Sequence, residues 1–132
     1  MTCRRHPQDM GKEKIKIAGT KVYGPYSPAI KANGIVWLAG QIAPEVGDDV
    51  KAQTAAVLAK IDALLFAAGT DKHGLVMVQV LLDNIDDFEA MNEVYAGWLT
   101  ECVHPPARAA FGGNDLPRNA LVEIVAQAVV HD

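Results

Sequence analysis

The feature that most constrains the fold is the final apolar run, from Ala120 to His131. Alternate residues of a β-strand share one face. One face of this run would be wholly apolar, and the other would be apolar except for Glu123 and Gln127. The run therefore predicts a strand that is buried on both faces. A charged side chain in such a strand is costly unless it is paired, hydrogen-bonded or functional.

Arg108 lies upstream of this strand, just after the proline pair Pro105 and Pro106. Arginine is permanently charged, and its planar fork matches a carboxylate. Arg108 and Glu123 together suggest a pocket in which Arg108 anchors an acid and Glu123 moves protons. Judged on residue types alone, a structural Arg108–Glu123 pair, or two side chains that face solvent separately, is the simpler interpretation.

The chain has 132 residues, of which 50% are hydrophobic and 21% charged, as expected for one soluble globular domain. It contains no apolar run long enough to span a bilayer and no secretory signal. Cys3 and Cys102 are too few for a disulfide framework. The histidines and cysteines lack zinc-ligand spacing, so no metal is expected. These features predict a cytoplasmic protein without a membrane partner.

The charge is divided unevenly along the chain. Residues 1–21 carry a net charge of +4 and the remainder −8, which together give the formal net charge of −4. We expect residues 1–20 to form a flexible basic leader and residues 21–132 to form the folded domain. The acidic domain argues against a nucleic-acid partner.

The remaining pattern predicts an α+β domain with the element order β-β-α-β-α-β-β. Asn33-Gly34 is a hairpin signal, and Asp48 or Asp49 can cap the first helix, which Gly69 ends. Asp86 and Glu89 resemble a capping box before the second helix. The expected elements are a hairpin over 29–40, a helix over 50–68, a strand over 75–82, a helix over about 86–101, and strands over 108–112 and 120–131.

Two helices that connect neighbouring strands can cover only one face of such a sheet. The other face would expose a large apolar patch, which soluble monomers rarely tolerate. We therefore expect an obligate oligomer in which copies of the chain cover this face. Pockets often occur at such boundaries, so inter-subunit sites are expected.

Six short motifs occur in one order over roughly residues 20–130, and together they resemble the RidA family of reactive enamine/imine deaminases. The resemblance implies a chorismate-mutase-like α+β fold, with a mixed sheet and two helices on one face. It also implies a homotrimer with its sites between subunits. The motifs are G-P-Y-S from Gly24, A-G-Q-I from Ala39, M-N-E-V-Y from Met91, P-P-A-R from Pro105, L-P from Leu116 and L-V-E-I from Leu121.

Carried over by motif, the resemblance implies a role for five residues. Arg108 would hold the substrate carboxylate, and Glu123 would lie near the water that attacks the imine. Tyr26 and Asn92 would line the pocket, and Gly40 would contribute its backbone. The implied activity is that of a 2-iminobutanoate/2-iminopropanoate deaminase-type hydrolase, which acts on C=N bonds. It converts 2-aminoacrylate-type enamine and imine acids to 2-keto acids and ammonia without a cofactor.

The chain departs from the family at positions that bear on its substrate. Ala39 stands where many members have serine, and Ala110 stands where many have cysteine. These changes favour, as an alternative, a deaminase of a larger, aminomuconate-like enamine acid. A non-catalytic, chaperone-like trimer that binds small carboxylates would need Arg108 but not Glu123. An endoribonuclease, an activity ascribed to relatives, fits the acidic domain least well.

Overall fold

The computed structural model describes residues 8–20, 22 and 24–130. The described chain forms six strands and two helices, with short 3₁₀ turns between them. The strands are β1 (Glu13–Ile15), β2 (Ala29–Ala32), β3 (Ile35–Gln41), β4 (Leu75–Leu82), β5 (Ala107–Phe111) and β6 (Val122–Val129), and the helices are α1 (Val50–Ala68) and α2 (Phe88–Trp98).

The six strands form one mixed sheet in the order β1-β2-β3-β6-β4-β5. All neighbours are antiparallel except β4 and β5, which are parallel. Parallel strands need a crossover connection, and α2 provides it. The final strand, β6, lies in the centre of the sheet, as its two apolar faces predict. The sequence prediction of an α+β fold with a mixed sheet is therefore confirmed.

Both helices pack on one face of the sheet, as predicted. The side chains of β3, β4 and β6 that point to this face are buried, including Val36, Val80 and Ile124. The opposite face, which we call the open face, carries side chains that are exposed or only partly buried in the single chain. These residues of the open face are Ile35, Trp37, Met77, Gln79, Leu81, Phe111, Glu123, Val125, Gln127 and Val129.

Local sequence signals explain the ends of α1 and the first hairpin. The Asp49 side chain accepts a hydrogen bond from the backbone N–H of Ala52, and Gly69 ends the helix in the left-handed conformation. The Lys31 ammonium group donates to the carbonyl of Ala68 at the same end. Asn33 and Gly34 both have positive φ, 52° and 76°. These values are typical of a tight hairpin turn between β2 and β3.

The start of the chain and of α2 differ from the sequence expectations. Within the expected flexible leader, residues 13–15 form β1, because Ile15 is 5% exposed and joins the core. Residues 1–7 lie outside the described residues, so the leader stays a prediction there. The prediction of a capping box formed by Asp86 and Glu89 is wrong. The Asn84 side chain instead accepts from the N–H of Asp86, closes a 3₁₀ turn and delays the helix to Phe88.

Within the described residues, neither helix is long and apolar enough to cross a membrane.

Candidate functional site

Arg108 projects from the edge strand β5 toward α2. Its register partner on β4 is Val78, which is buried under the helices, so Arg108 points to the helix-covered face. Its Nη1 donates a hydrogen bond of 2.6 Å to Asn92 Oδ1. The guanidinium carbon also lies 4.8 Å from the ring centroid of Tyr95 and 5.5 Å from that of Phe88. Arg108 is therefore held against one face of α2.

Glu123 lies on β6 in the open face, opposite Leu81 of β4. It is partly buried, and burial in this apolar strand raises the pKa of its carboxyl above the ordinary value of 4.5. Because water solvates the carboxylate poorly here, the protonated form is favoured more than in solution. A carboxylate with a raised pKa is a stronger base, and it can accept a proton and return it.

Because Gly40 has no side chain, the Glu123 side chain can occupy the space next to its Cα atom. A Cβ atom built on Gly40 would collide with the carboxylate and would lie 2.8 Å from Glu123 Cδ. The backbone of Gly40 is also irregular. Leu38 and Gln41 of β3 are three residues apart, whereas their partners Ala126 and Ile124 on β6 are two apart, which indicates a β-bulge. The bulge places bare backbone beside the carboxylate.

Arg108 and Glu123 do not meet within one chain. They point to opposite faces of the sheet, and β4 lies between their strands. The strand spacing and rise separate their Cα atoms by about 14 Å. A structural Arg108–Glu123 pair within one chain is therefore wrong. The structure instead brings Arg108 together with Asn92, and Glu123 together with Gly40.

A cleft of about 490 Å³ lies between α1, the end of β3 and the segment before β2. It is lined by Tyr26 and Gly40, two of the predicted site residues, and by apolar side chains that include Leu64. Tyr26 is 48% exposed, so its ring is accessible from solvent. Tyr26 and Gly40 therefore share one concave surface, which adjoins Glu123.

The far side of this cleft is charged. Lys60 donates to the carbonyl of Ile42 at 2.6 Å and forms an ion pair of 2.7 Å with Glu45. The hydrogen bond from Lys60 is the main cause that lowers the pKa of Glu45, and the charge of Arg118 lowers it further. Arg118 also lines the cleft. Two cations and one carboxylate thus lie at the end of an otherwise largely apolar cleft.

Phe88 and Tyr95 are parts of the Arg108 environment that sequence reasoning missed. Tyr95 reads from the sequence as simple packing, and it is indeed 6% exposed. The sequence did contain an indication that these residues act together, since Phe88, Asn92 and Tyr95 lie at i, i+4 and i+7 on one face of a helix. That signal becomes informative only once Arg108 is known to point at α2.

Among the described residues, no group of three or more His, Cys, Asp or Glu side chains is arranged to hold a metal ion. Ala110 follows Arg108 on the same face of β5 and packs partly buried against the core. Ala39 begins the bulge and donates its backbone N–H to the carbonyl of Pro28. Neither alanine offers a polar side chain to the site.

Solved structures with the same architecture define the class of fold. RidA from a Psychrobacter species matches with a TM-score of 0.81 and 32% identity, over 89% of this chain and 99% of that one. TdcF of E. coli, solved with bound serine, matches with a TM-score of 0.81 and 28% identity, over 90% of this chain and 99% of that one. The protein therefore has the Rid-type α+β fold.

The sequence comparisons give the family. The family model described as Endoribonuclease L-PSP matches residues 17–130. A RutC family protein of Pyrococcus horikoshii is 44% identical over 82% of this chain and 89% of its own length. The chloroplastic Reactive Intermediate Deaminase A of Arabidopsis thaliana is 38% identical over 76% of this chain and 56% of its own length. The chain therefore belongs to the RidA family.

Proposed function

We propose that the protein hydrolyses 2-enamine and 2-imine acids, such as 2-aminoacrylate, to 2-keto acids and ammonia. The observation that carries this proposal is the Glu123 carboxyl group, which has a raised pKa and lies against the bare backbone of Gly40. Such a group can position water and exchange protons with a small substrate. The plant relative named Reactive Intermediate Deaminase supports the same reaction class.

The proposal requires more than one chain at each site. Arg108 and Glu123 lie on opposite faces of the sheet, so one subunit cannot bring both to a single small acid. Over β3, β6, β4 and β5, the open face is apolar apart from Gln79, Glu123 and Gln127, and burial against other copies would remove it from water. We propose a homotrimer with inter-subunit sites, in which Arg108 of one chain approaches Glu123 of its neighbour.

The chemistry then follows from the two groups. Arg108 binds the substrate carboxylate through parallel hydrogen bonds and orients the carbon of the C=N bond. A proton moves from the enamine nitrogen to C3 by way of solvent, which gives the imine. Glu123 takes a proton from water as the oxygen attacks C2, the carbon of the C=N bond, and it returns this proton to the nitrogen. The hydroxyl proton of the tetrahedral intermediate then passes to the nitrogen, the C–N bond breaks as the C=O bond forms, ammonia leaves, and the 2-keto acid remains.

A coupled assay tests this proposal. A serine or threonine dehydratase generates the enamine, and semicarbazide traps the imine that has not been hydrolysed. We expect the wild-type protein to reduce trapping, Arg108→Ala to lose the effect, and Glu123→Gln to be about 10²–10⁴-fold slower. Phe66→Ala, on the exposed side of α1, is the matched control and should behave as wild type. Full activity in Glu123→Gln would contradict the assigned chemistry and favour simple carboxylate binding.

The charged end of the cleft favours a larger substrate as a second candidate. Arg118 and Asn119 both have positive φ, 56° and 58°, which is costly for residues other than glycine. This strained segment carries Arg118 to the cleft wall, where Lys60 also lies. A dicarboxylic enamine acid could place its second carboxylate there while its reacting carbon remains near Gly40 and Glu123.

Rates on small and dicarboxylic enamine acids separate the two candidates. Arg118→Asn removes the charge and tolerates positive φ, whereas Arg118→Lys keeps the charge. For the larger substrate, we expect Arg118→Asn to lower kcat/KM roughly two- to fivefold, consistent with one exposed ionic contact, and Arg118→Lys to retain most of it. Equal effects of Arg118→Asn on both substrates would reject the dicarboxylic candidate.

A further inference from the structure

The side chain of Arg108 is enclosed by three residues of α2 that lie on one face of the helix. Asn92 accepts one of its N–H bonds at 2.6 Å. The rings of Tyr95 and Phe88 lie within cation–π distance of the guanidinium, with centroids at 4.8 and 5.5 Å. A guanidinium group has five N–H donors, so the bond to Asn92 leaves others for a ligand. We call Phe88, Asn92 and Tyr95 the arginine cage.

Tyr95 is the more deeply buried of the two rings of the cage. It is 6% exposed, whereas Phe88 is only partly buried. The Tyr95 ring also packs against Trp98, with ring centroids 6.1 Å apart and planes tilted by 52°. Cation–π attraction is stronger where water is excluded, so the Tyr95 ring should contribute more to holding Arg108 than the Phe88 ring does.

The Tyr95 hydroxyl group does not explain the presence of an aromatic ring here. It is buried and has no hydrogen-bond partner among the residues that the structure describes. A buried hydroxyl without a partner is destabilising. The ring face that Arg108 contacts is therefore the part of Tyr95 that serves the site.

We propose that Tyr95 is a positioning residue, whose ring fixes the plane of the Arg108 guanidinium so that its remaining donors point at the substrate carboxylate. This inference rests on the proposed function, because that function identifies the ligand of Arg108 as the substrate carboxylate. A free arginine side chain samples many rotamers and would lose that freedom on binding. The cage removes most of the freedom beforehand, which favours carboxylate binding by preorganisation.

Fluorinated phenylalanines at position 95 test the proposal without changing the shape of the core. Phenylalanine and its 4-fluoro, 3,5-difluoro and 3,4,5-trifluoro forms are placed there in the full-length protein. Each fluorine weakens the negative potential of the ring face. The readouts are the Kd of 2-oxobutanoate by calorimetry and the steady-state kinetics of the coupled assay. The trifluoro form at Phe66, which is 83% exposed, is the matched control.

We expect Tyr95→Phe to bind 2-oxobutanoate as wild type does. From phenylalanine to the trifluoro form, Kd should rise stepwise by about five- to tenfold, the range expected for a cation–π contact of this kind. KM should rise with Kd while kcat changes little, because the carboxylate contact exists in both ground and transition states. The control at Phe66 should leave Kd unchanged.

The outcomes separate this inference from the proposed function. A flat series in a protein that binds the keto acid and hydrolyses the enamine overturns the role of Tyr95 alone. A stepwise series in a protein that binds the keto acid without hydrolysing the enamine overturns the proposed function alone. A wild-type protein that neither binds 2-oxobutanoate nor hydrolyses the enamine overturns both, and one that hydrolyses the enamine without binding 2-oxobutanoate overturns the role of Tyr95 alone.

Discussion

At the scale of single residues, the site depends on a missing side chain as much as on those present. Gly40 has no positive φ, so its value lies in the space above its Cα atom rather than in backbone freedom. That space holds the Glu123 carboxylate. A glycine in a strand often marks such a close approach. The A-G-Q-I motif and the L-V-E-I motif are therefore two halves of one local structure.

Gly40→Ala should impair activity more than stability. The new Cβ would meet the end of the flexible Glu123 side chain, which can swing away at little cost in folding free energy. The displaced carboxylate would no longer hold the attacking water, so we expect kcat to fall by about 10²-fold or more. Gly97→Ala, where a Cβ meets nothing within 4 Å, is the control and should keep full activity. Chemical denaturation and the coupled assay measure the two effects.

The raised pKa of Glu123 predicts a pH dependence of stability. Because burial raises the folded-state pKa above 4.5, the folded protein binds the Glu123 proton more tightly than the unfolded chain does. The contribution of this proton to the free energy of unfolding is fully present below pH 4.5 and is lost as the pH rises through the folded-state pKa. Glu123→Gln removes the linkage. The free energy of unfolding of the variant minus that of wild type should therefore increase as the pH is raised from acidic to neutral. Urea unfolding at several pH values measures this difference. A difference that is independent of pH would contradict the linkage.

At the scale of elements, α1 and β5 show how differently local and non-local signals act. The bounds of α1 coincide with the sequence prediction because its cap, its apolar stripe and its terminal glycine are all encoded within the segment. The sequence also locates β5, to within a residue at each end. The direction in which Arg108 points depends instead on the pairing of β5 with β4, which lies far away along the chain.

The two candidate caps of α1 can be distinguished by substitution. Asp49 accepts the hydrogen bond from Ala52, so Asp49→Ala should lower the free energy of unfolding by about 1 kcal/mol. Asp48 precedes the cap and is exposed, so Asp48→Ala should have little effect. Urea unfolding of both variants measures the difference. Equal losses would show that helix-dipole effects, rather than the cap hydrogen bond, dominate.

At the scale of the whole molecule, the sheet has one face covered by helices and one open face. The open face is mostly apolar, yet it carries Glu123. Its composition accounts for the sequence prediction of oligomers. It also connects assembly to catalysis, because the proposed site needs an arginine that the same chain directs to the other face.

Val125→Arg should abolish assembly. Val125 lies on the central strand β6 in the open face, next to Gln79 of β4. A charge there would be buried unpaired if another copy covered the face. We expect sedimentation velocity at micromolar concentration to show a trimer for wild type and a folded monomer for Val125→Arg, with deaminase activity lost. Phe66→Lys, on the helix side, should remain a trimer. A stable, active wild-type monomer would contradict the assembly.

The sequence by itself determined α1, the presence of α2, the hairpin, the central two-faced strand and the identities of Arg108 and Glu123 as unusual residues, whereas Gly40 was identified only through the resemblance to the RidA family. These features arise from spacing and capping within short segments, where the chain interacts with itself locally. The tertiary structure decided that Arg108 and Glu123 face apart, that Glu123 lies over Gly40, and that Tyr95 supports Arg108. Each of these depends on strand register and on which helix covers which strand. Since a one-residue shift in register moves every side chain to the other face, only the packed sheet decides them.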